Sequence, residues 1–133
     1  MKTVLIVDDD ARTLKELKLF AERLGLTVLV ETSGGAAIRK LMQEDQEIDA
    51  VVTDTRMDYG DGIEVLQTIL RLDFRLPLKV LIHSGDKNYR YGGKDIKLAG
   101  FVSEYFGTFA KFRLKGVDYQ SAKAFLTEVA ETG

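Results

Sequence analysis

Val4-Leu5-Ile6-Val7-Asp8-Asp9-Asp10 is a short, partly β-branched apolar run that stops abruptly on three acids. Four apolar residues in succession, without alternation, read as a strand buried on both faces, the pattern of a parallel sheet covered by helices. The pattern recurs at Ala50-Val51-Val52-Thr53, which also ends on an acid, Asp54. It recurs again from Leu78 to Ile82, after Pro77, and ends at His83-Ser84-Gly85.

The intervening segments carry helical spacing. Leu14, Leu17, Phe20, Ala21 and Leu24 form one stripe, closed by Gly25 as a C-cap. Thr27 to Val30 is a further strand, and Ser33 is the expected N-cap of a helix bearing Ala37, Ile38, Leu41 and Met42. Ile63, Leu66, Ile69 and Leu70 define a third helix, and residues 118–130 a final one with Ala122, Phe125, Leu126 and Val129 on one side. The polar segment 86–99 contains Gly92-Gly93 and predicts a weak or interrupted fourth helix. Phe101-Val102-Ser103 is then the expected fifth strand, with residues 105–116 a longer loop. Five β–α units in alternation predict an α/β fold, a doubly wound parallel sheet with right-handed crossovers and helices on both faces. The strand order does not follow from the pattern.

At 133 residues the chain fits a single domain, 1–133, and can bury a core without staples. A net charge of −2 argues against a nucleic-acid footprint, which needs a strongly basic face. The absence of cysteine excludes disulfides and thiolate metal sites, and the single histidine, His83, excludes a multi-histidine zinc site. No apolar run approaches the roughly 18 residues that span a bilayer. The expected setting is cytoplasmic, with no membrane partner and no direct nucleic-acid partner.

In open α/β sheets the functional crevice lies beyond the carboxyl ends of the strands. On this reading the first strand delivers Asp8 and Asp9, the third Asp54, the fourth Ser84 and the fifth Glu104. Each has an ordinary reading in isolation: the acids as helix caps, Ser84 as a turn residue before Gly85. Together they suggest another role. Carboxylates converging on one crevice repel each other unless a cation joins them, and an all-oxygen donor set with a phosphate co-ligand suits Mg²⁺.

These residues make the chain resemble the receiver domains of two-component response regulators, from Val4 to about Val129. The marks are residues 4–10, residues 51–62 with Asp54, Met57 and Gly62 in sequence, and Leu81-Ile82-His83-Ser84-Gly85. The resemblance implies a flavodoxin-like, three-layer (βα)5 fold with a five-stranded parallel sheet. It implies Asp54 as acceptor of a phosphoryl group from a histidine kinase or phosphotransfer protein. Asp8, Asp9, Asp54 and the backbone carbonyl of Arg56 would hold Mg²⁺. Ser84 would hydrogen-bond the phosphoryl group, and Phe101 would be the aromatic whose rotamer follows. Such a domain is a signalling phosphoacceptor that assists its own phosphorylation and dephosphorylation, and not a turnover enzyme. Its further partners would be a downstream protein or output domain, with a homodimer also open.

Against that pattern, Glu104 falls where the family carries a lysine at the end of the fifth strand, Tyr105 where a proline commonly follows, and Asp58 where a proline usually follows Met57. A carboxylate in place of an ammonium has the wrong sign for holding a phosphoryl group; Lys87 and Arg56 are the nearest substitutes. This departure keeps a second function open, an atypical receiver acting as a phosphorylation-independent docking or dimerisation module. A Mg²⁺-dependent phosphohydrolase is disfavoured because Arg56 stands where such enzymes often place a second carboxylate.

Overall fold

The computed structural model describes residues 2–43, 47–55, 61–72, 79–91, 93–107 and 110–132. In chain order the elements are β1 (Thr3–Val7), α1 (Ala11–Arg23), β2 (Thr27–Glu31), α2 (Gly34–Leu41), β3 (Ala50–Thr53), α3 (Gly62–Leu72) and β4 (Lys79–Ser84). They continue with β5 (Asn88–Tyr91), β6 (Lys94–Lys97), α4 (Leu98–Phe106), β7 (Ala110–Leu114), a 3₁₀ turn (Val117–Tyr119) and α5 (Gln120–Glu131).

Five strands form one parallel sheet in the order β2-β1-β3-β4-β7. Its two faces bury separate clusters. Val4, Ile6, Val52 and Leu81 meet Leu17 and Ala21 of α1 and Phe125, Leu126 and Val129 of α5. Leu5, Val51, Val80 and Ile82 meet Leu41 of α2, Leu66 and Ile69 of α3 and Phe101 and Val102 of α4. Side chains alternate across a strand, so the unbroken apolar runs of β1, β3 and β4 serve both clusters at once. The α/β, flavodoxin-like doubly wound sheet is therefore present, with helices on both faces.

Capping follows the sequence signals. Ser33 caps α2 by accepting from the Ala36 N–H, and Asp10 caps α1 by accepting from the Arg12 N–H. Gly25 takes a φ of +87°, which lets the chain leave α1.

The segment after β4 departs from expectation. Residues 88–91 and 94–97 pair as antiparallel strands, β5 with β6, where a weak helix was expected. Two four-residue strands separated by a Gly-Gly pair are a hairpin signal, and Gly93 has a φ of +80° that a side chain would oppose. The expected fifth strand at 101–103 is also corrected, since those residues lie inside α4. Leu98, Phe101, Val102 and Phe106 are its buried residues, a spacing of three, one and four that belongs to a helix. The last strand of the sheet is β7, which begins seven residues past the end of the run first read as a strand.

Candidate functional site

Strand register decides which side chains meet. Val7 of β1 pairs with Thr53 of β3, so the next residues, Asp8 and Asp54, emerge side by side at the carboxyl edge. Thr53 pairs with Ile82, which brings Thr55 opposite Ser84 two steps further on. Ser84 in turn pairs with Leu114, and the next residue, Lys115, is anchored by its N–H donating to the Ser84 carbonyl at 2.7 Å.

Asp8, Asp9 and Asp54 bring one carboxylate oxygen each to within 4.8 Å of one another. Asp8 and Asp54 are buried and Asp9 is exposed. The Lys115 ammonium bridges the two buried acids, 2.8 Å from Asp8 Oδ2 and 3.1 Å from Asp54 Oδ2. The other Asp54 oxygen, Oδ1, accepts from the Thr55 N–H at 2.7 Å, and Asp8 Oδ1 accepts from the Asp10 N–H at 2.9 Å. Asp10 itself turns away to cap α1, so one of the three consecutive acids has the ordinary role and the other two enter the cluster.

Burial dominates the electrostatics of Asp8. It raises the carboxyl to about 6, against the lowering effect of the Lys115 and Asp10 hydrogen bonds. Burial also pulls on the Lys115 ammonium, but the hydrogen bonds and charges of Asp8 and Asp54 outweigh it and leave the lysine raised. His83, buried beneath this edge, is lowered to about 4 by desolvation and then by the Lys115 charge. Among the described residues neither of its ring nitrogens has a hydrogen-bond partner, and Tyr119 packs edge-to-face with the ring at 6.1 Å between centroids. It is a neutral histidine throughout the physiological range.

The expected site residues divide into three groups. Asp8, Asp9, Asp54 and Ser84 converge. Arg56, whose carbonyl was expected among the metal ligands, lies outside the described residues, as do Met57 and Asp58. Phe101 and Glu104 sit on α4 and not at a strand end. Phe101 packs in the core against Tyr105 and Phe106, and exposed Glu104 lines a shallow cavity of about 300 Å³ with Ile96, Lys97, Phe101 and Tyr105. The reading that a glutamate replaces the strand-end lysine is thus overturned: the residue after the last strand is Lys115. Lys87, considered as a substitute, is exposed beyond β4, where its carbonyl accepts from the Leu98 N–H.

Sequence reasoning missed Lys115 because β7 is an edge strand, paired among the described residues with β4 alone. Ala110-Lys111-Phe112-Arg113-Leu114 alternates apolar with cationic residues, and a search for unbroken apolar runs passes over it. The alternation was the available signal, followed at once by Lys115 and Gly116.

Gly62 opens α3 directly behind Asp54. Its N–H donates to the Thr55 carbonyl at 3.0 Å, and a Cβ built on it would overlap the Asp54 carbonyl oxygen. That neighbour is backbone and cannot swing aside. Gly62→Ala should therefore cost about 2 kcal/mol, as overpacking of rigid surroundings does. Thermal melts would show the loss, and amide shifts of Asp54 and Thr55 should move with it. Unchanged melting and shifts would mean the backbone yields without consequence.

The family model for the response regulator receiver domain matches residues 4–107. The chain belongs to that family. Receiver domains are signalling phosphoacceptors, generally not classical enzymes. Curated relatives include the transcriptional regulatory protein GlrR of Escherichia coli (strain K12), 34% identical over 82 residues, which are 62% of this chain and 18% of that one. The heme response regulator HssR of Staphylococcus epidermidis (strain ATCC 12228 / FDA PCI 1200) is 35% identical over 81 residues, 61% of this chain and 35% of that one. The match thus spans a minor part of these relatives' length. Among solved structures, a CheY-like receiver domain protein from Methanospirillum hungatei JF-1 superposes with a TM-score of 0.71 at 25% identity, over 100% of this chain and 99% of that one. The receiver domain of a putative Luxo repressor protein from Vibrio parahaemolyticus gives 0.75 at 18%, over 98% and 90%. The matched range includes Asp8, Asp54 and Ser84 but ends before β7, so Lys115 enters the receiver site through the fold.

Three carboxylates sharing one small volume fit a hard divalent cation with oxygen ligands, and Mg²⁺ is the member of that class that favours a phosphate co-ligand. Among the described residues no helix is long and apolar enough to cross a membrane.

Proposed function

We propose that this receiver domain accepts a phosphoryl group on Asp54 from a histidine kinase or phosphotransfer protein and thereby changes its protein contacts. The single observation that carries this reading is the Lys115 ammonium, 3.1 Å from Asp54 Oδ2 beside two further carboxylates. A lone buried carboxylate is a poor place for a dianion; one flanked by an ammonium and a divalent-cation site is a good one.

Asp8, Asp9 and Asp54 would hold Mg²⁺, with the Arg56 carbonyl as the expected fourth protein ligand. When bound, the ion would offset charge on the transferring group. A carboxylate oxygen of Asp54 forms the new P–O bond, the P–N bond of the donor phosphohistidine breaks, and its electron pair returns to the imidazole nitrogen, which takes a proton. Lys115 is placed to pair with the resulting acyl phosphate, and the Ser84 hydroxyl to donate to one of its oxygens. The aromatic that stands three residues before the lysine is Phe112, which packs half-buried against the α2–α4 side of the core. We assign to it the following role first expected of Phe101. The docking-only alternative drew its support from Glu104, which the last strand does not carry. The proposed setting is cytoplasmic, with a downstream protein or output domain as the receiver of the signal.

Incubation with Mg²⁺ and acetyl phosphate tests the reading by intact-protein mass. The expected result is one added phosphoryl group, dependent on Mg²⁺ and absent from Asp54→Asn. A protein that gains no phosphoryl group, or gains it equally in the Asn variant, would overturn the assignment.

A further inference from the structure

Thr55, immediately after the acceptor, is fully buried and bonds in two directions. Its N–H donates to Asp54 Oδ1 at 2.7 Å, and its hydroxyl lies 2.8 Å from Ser84 Oγ. Ser84 Oγ also lies 3.0 Å from the Asp86 carbonyl oxygen and accepts from the Asp86 N–H at 3.1 Å. A serine hydroxyl has one proton and two acceptor sites, so these three contacts use its full capacity. With the Ser84 proton on the Asp86 carbonyl, Thr55 is the donor to Ser84; donation to a phosphoryl oxygen on Asp54 takes that proton from Asp86, and turning the hydroxyl toward Asp54 also breaks the Thr55 bond.

We propose that Thr55 is a positioning residue that latches the Ser84 hydroxyl in the resting state and so sets how readily the domain switches. The proposal rests on the phosphoacceptor reading above. Removing the Thr55 hydroxyl while keeping its shape leaves the Ser84 hydroxyl bonded, among the described residues, to Asp86 alone, and the switched arrangement no longer competes with the buried Thr55 bond. One hydrogen bond of this kind shifts an equilibrium by about three- to tenfold.

The test titrates beryllofluoride, a phosphoryl mimic, with Mg²⁺ into wild type, Thr55→Val, Thr55→Ala and Thr55→Ser, following amide shifts. In parallel, three-bond couplings report the Ser84 χ1 distribution in the resting proteins. The expected result is a beryllofluoride midpoint about three- to tenfold lower in the Val variant, wild-type behaviour in the Ser variant, and one Ser84 rotamer that becomes averaged when the hydroxyl is lost. The Ala variant replaces Val if the latter does not fold. A wild type that responds while the Val or Ala variant matches it in both readouts overturns the latch alone. A Ser variant that behaves like Val overturns it too, because packing and not the hydroxyl would then be responsible. A wild type that does not respond at all overturns the phosphoacceptor reading and the latch with it.

Discussion

Lys115→Met should lower the melting temperature of the metal-free protein at pH 7 by about 10 °C and, in the same protein, tighten Mg²⁺ binding at least tenfold. The two effects have one cause. The ammonium lies about 3 Å from both Asp8 and Asp54 and is largely shielded from solvent. Removing one partner of a shielded ion pair leaves uncompensated charge, which costs about 3 kcal/mol when the site is nearly buried. For a domain of this size that corresponds to the stated fall in melting temperature. Two carboxylates then face each other without a cation. At an effective dielectric near 20, unit charges about 4 Å apart interact by roughly 4 kcal/mol, ample for a tenfold change in metal affinity. The variant should regain stability as the pH falls towards 5, because Asp8, no longer held down by the lysine, protonates more readily. Its beryllofluoride response should weaken, since the cation that pairs with the bound anion is gone. Equal melting temperatures and equal Mg²⁺ affinity in the two proteins would show that Lys115 is not the counter-ion of the cluster.

Asp8→Asn should do the reverse to stability and weaken the metal site. The Asp8 carboxyl is raised to about 6, so its ionisation opposes folding. Its contribution is fully present below pH 4 and is lost as the pH rises through 6. His83 is lowered to about 4, so its contribution is present above about pH 6.5 and is lost as the pH falls through 4. In wild type the two run in opposite directions over the same window and largely cancel. The asparagine removes one of them. Metal-free Asp8→Asn should therefore be more stable than wild type at pH 7, by on the order of 1–2 kcal/mol. Its stability should now climb steeply from pH 4 to 6.5, where wild type is nearly flat. Mg²⁺ affinity should fall by about a hundredfold or more with the loss of a buried anionic ligand. Urea melts at pH 4.5, 5.5 and 7 separate the cases: parallel profiles for the two proteins would mean that Asp8 is not raised by burial.

The first experiment depends on Lys115, which reading the sequence did not find. The strands that serve two faces announced themselves, because a residue buried on either side must be apolar. Asp8, Asp9, Asp54 and Ser84 were legible as the polar residues that end those strands. The edge strand obeys a different rule: Lys111 and Arg113 can point away from the core while Ala110 and Phe112 face it. Its alternation resembles an exposed segment, while the apolar pair Phe101-Val102 in α4 resembled a strand. The hairpin at 88–97 added length between β4 and α4 and displaced the count by a whole element.

The sequence by itself determined the layered parallel architecture, the two-faced core and the acids that gather at one edge, because each follows from local pattern and the alternation of strands with helices. Only the tertiary structure decided the strand order, the hairpin after β4, and the pairing of Lys115 with Asp8 and Asp54. The physical reason is distance along the chain. Asp54 and Lys115 are 61 residues apart, and nothing local to either specifies the other. They meet because β7 aligns with β4 and β4 with β3, and each register carries the next residue to the same edge.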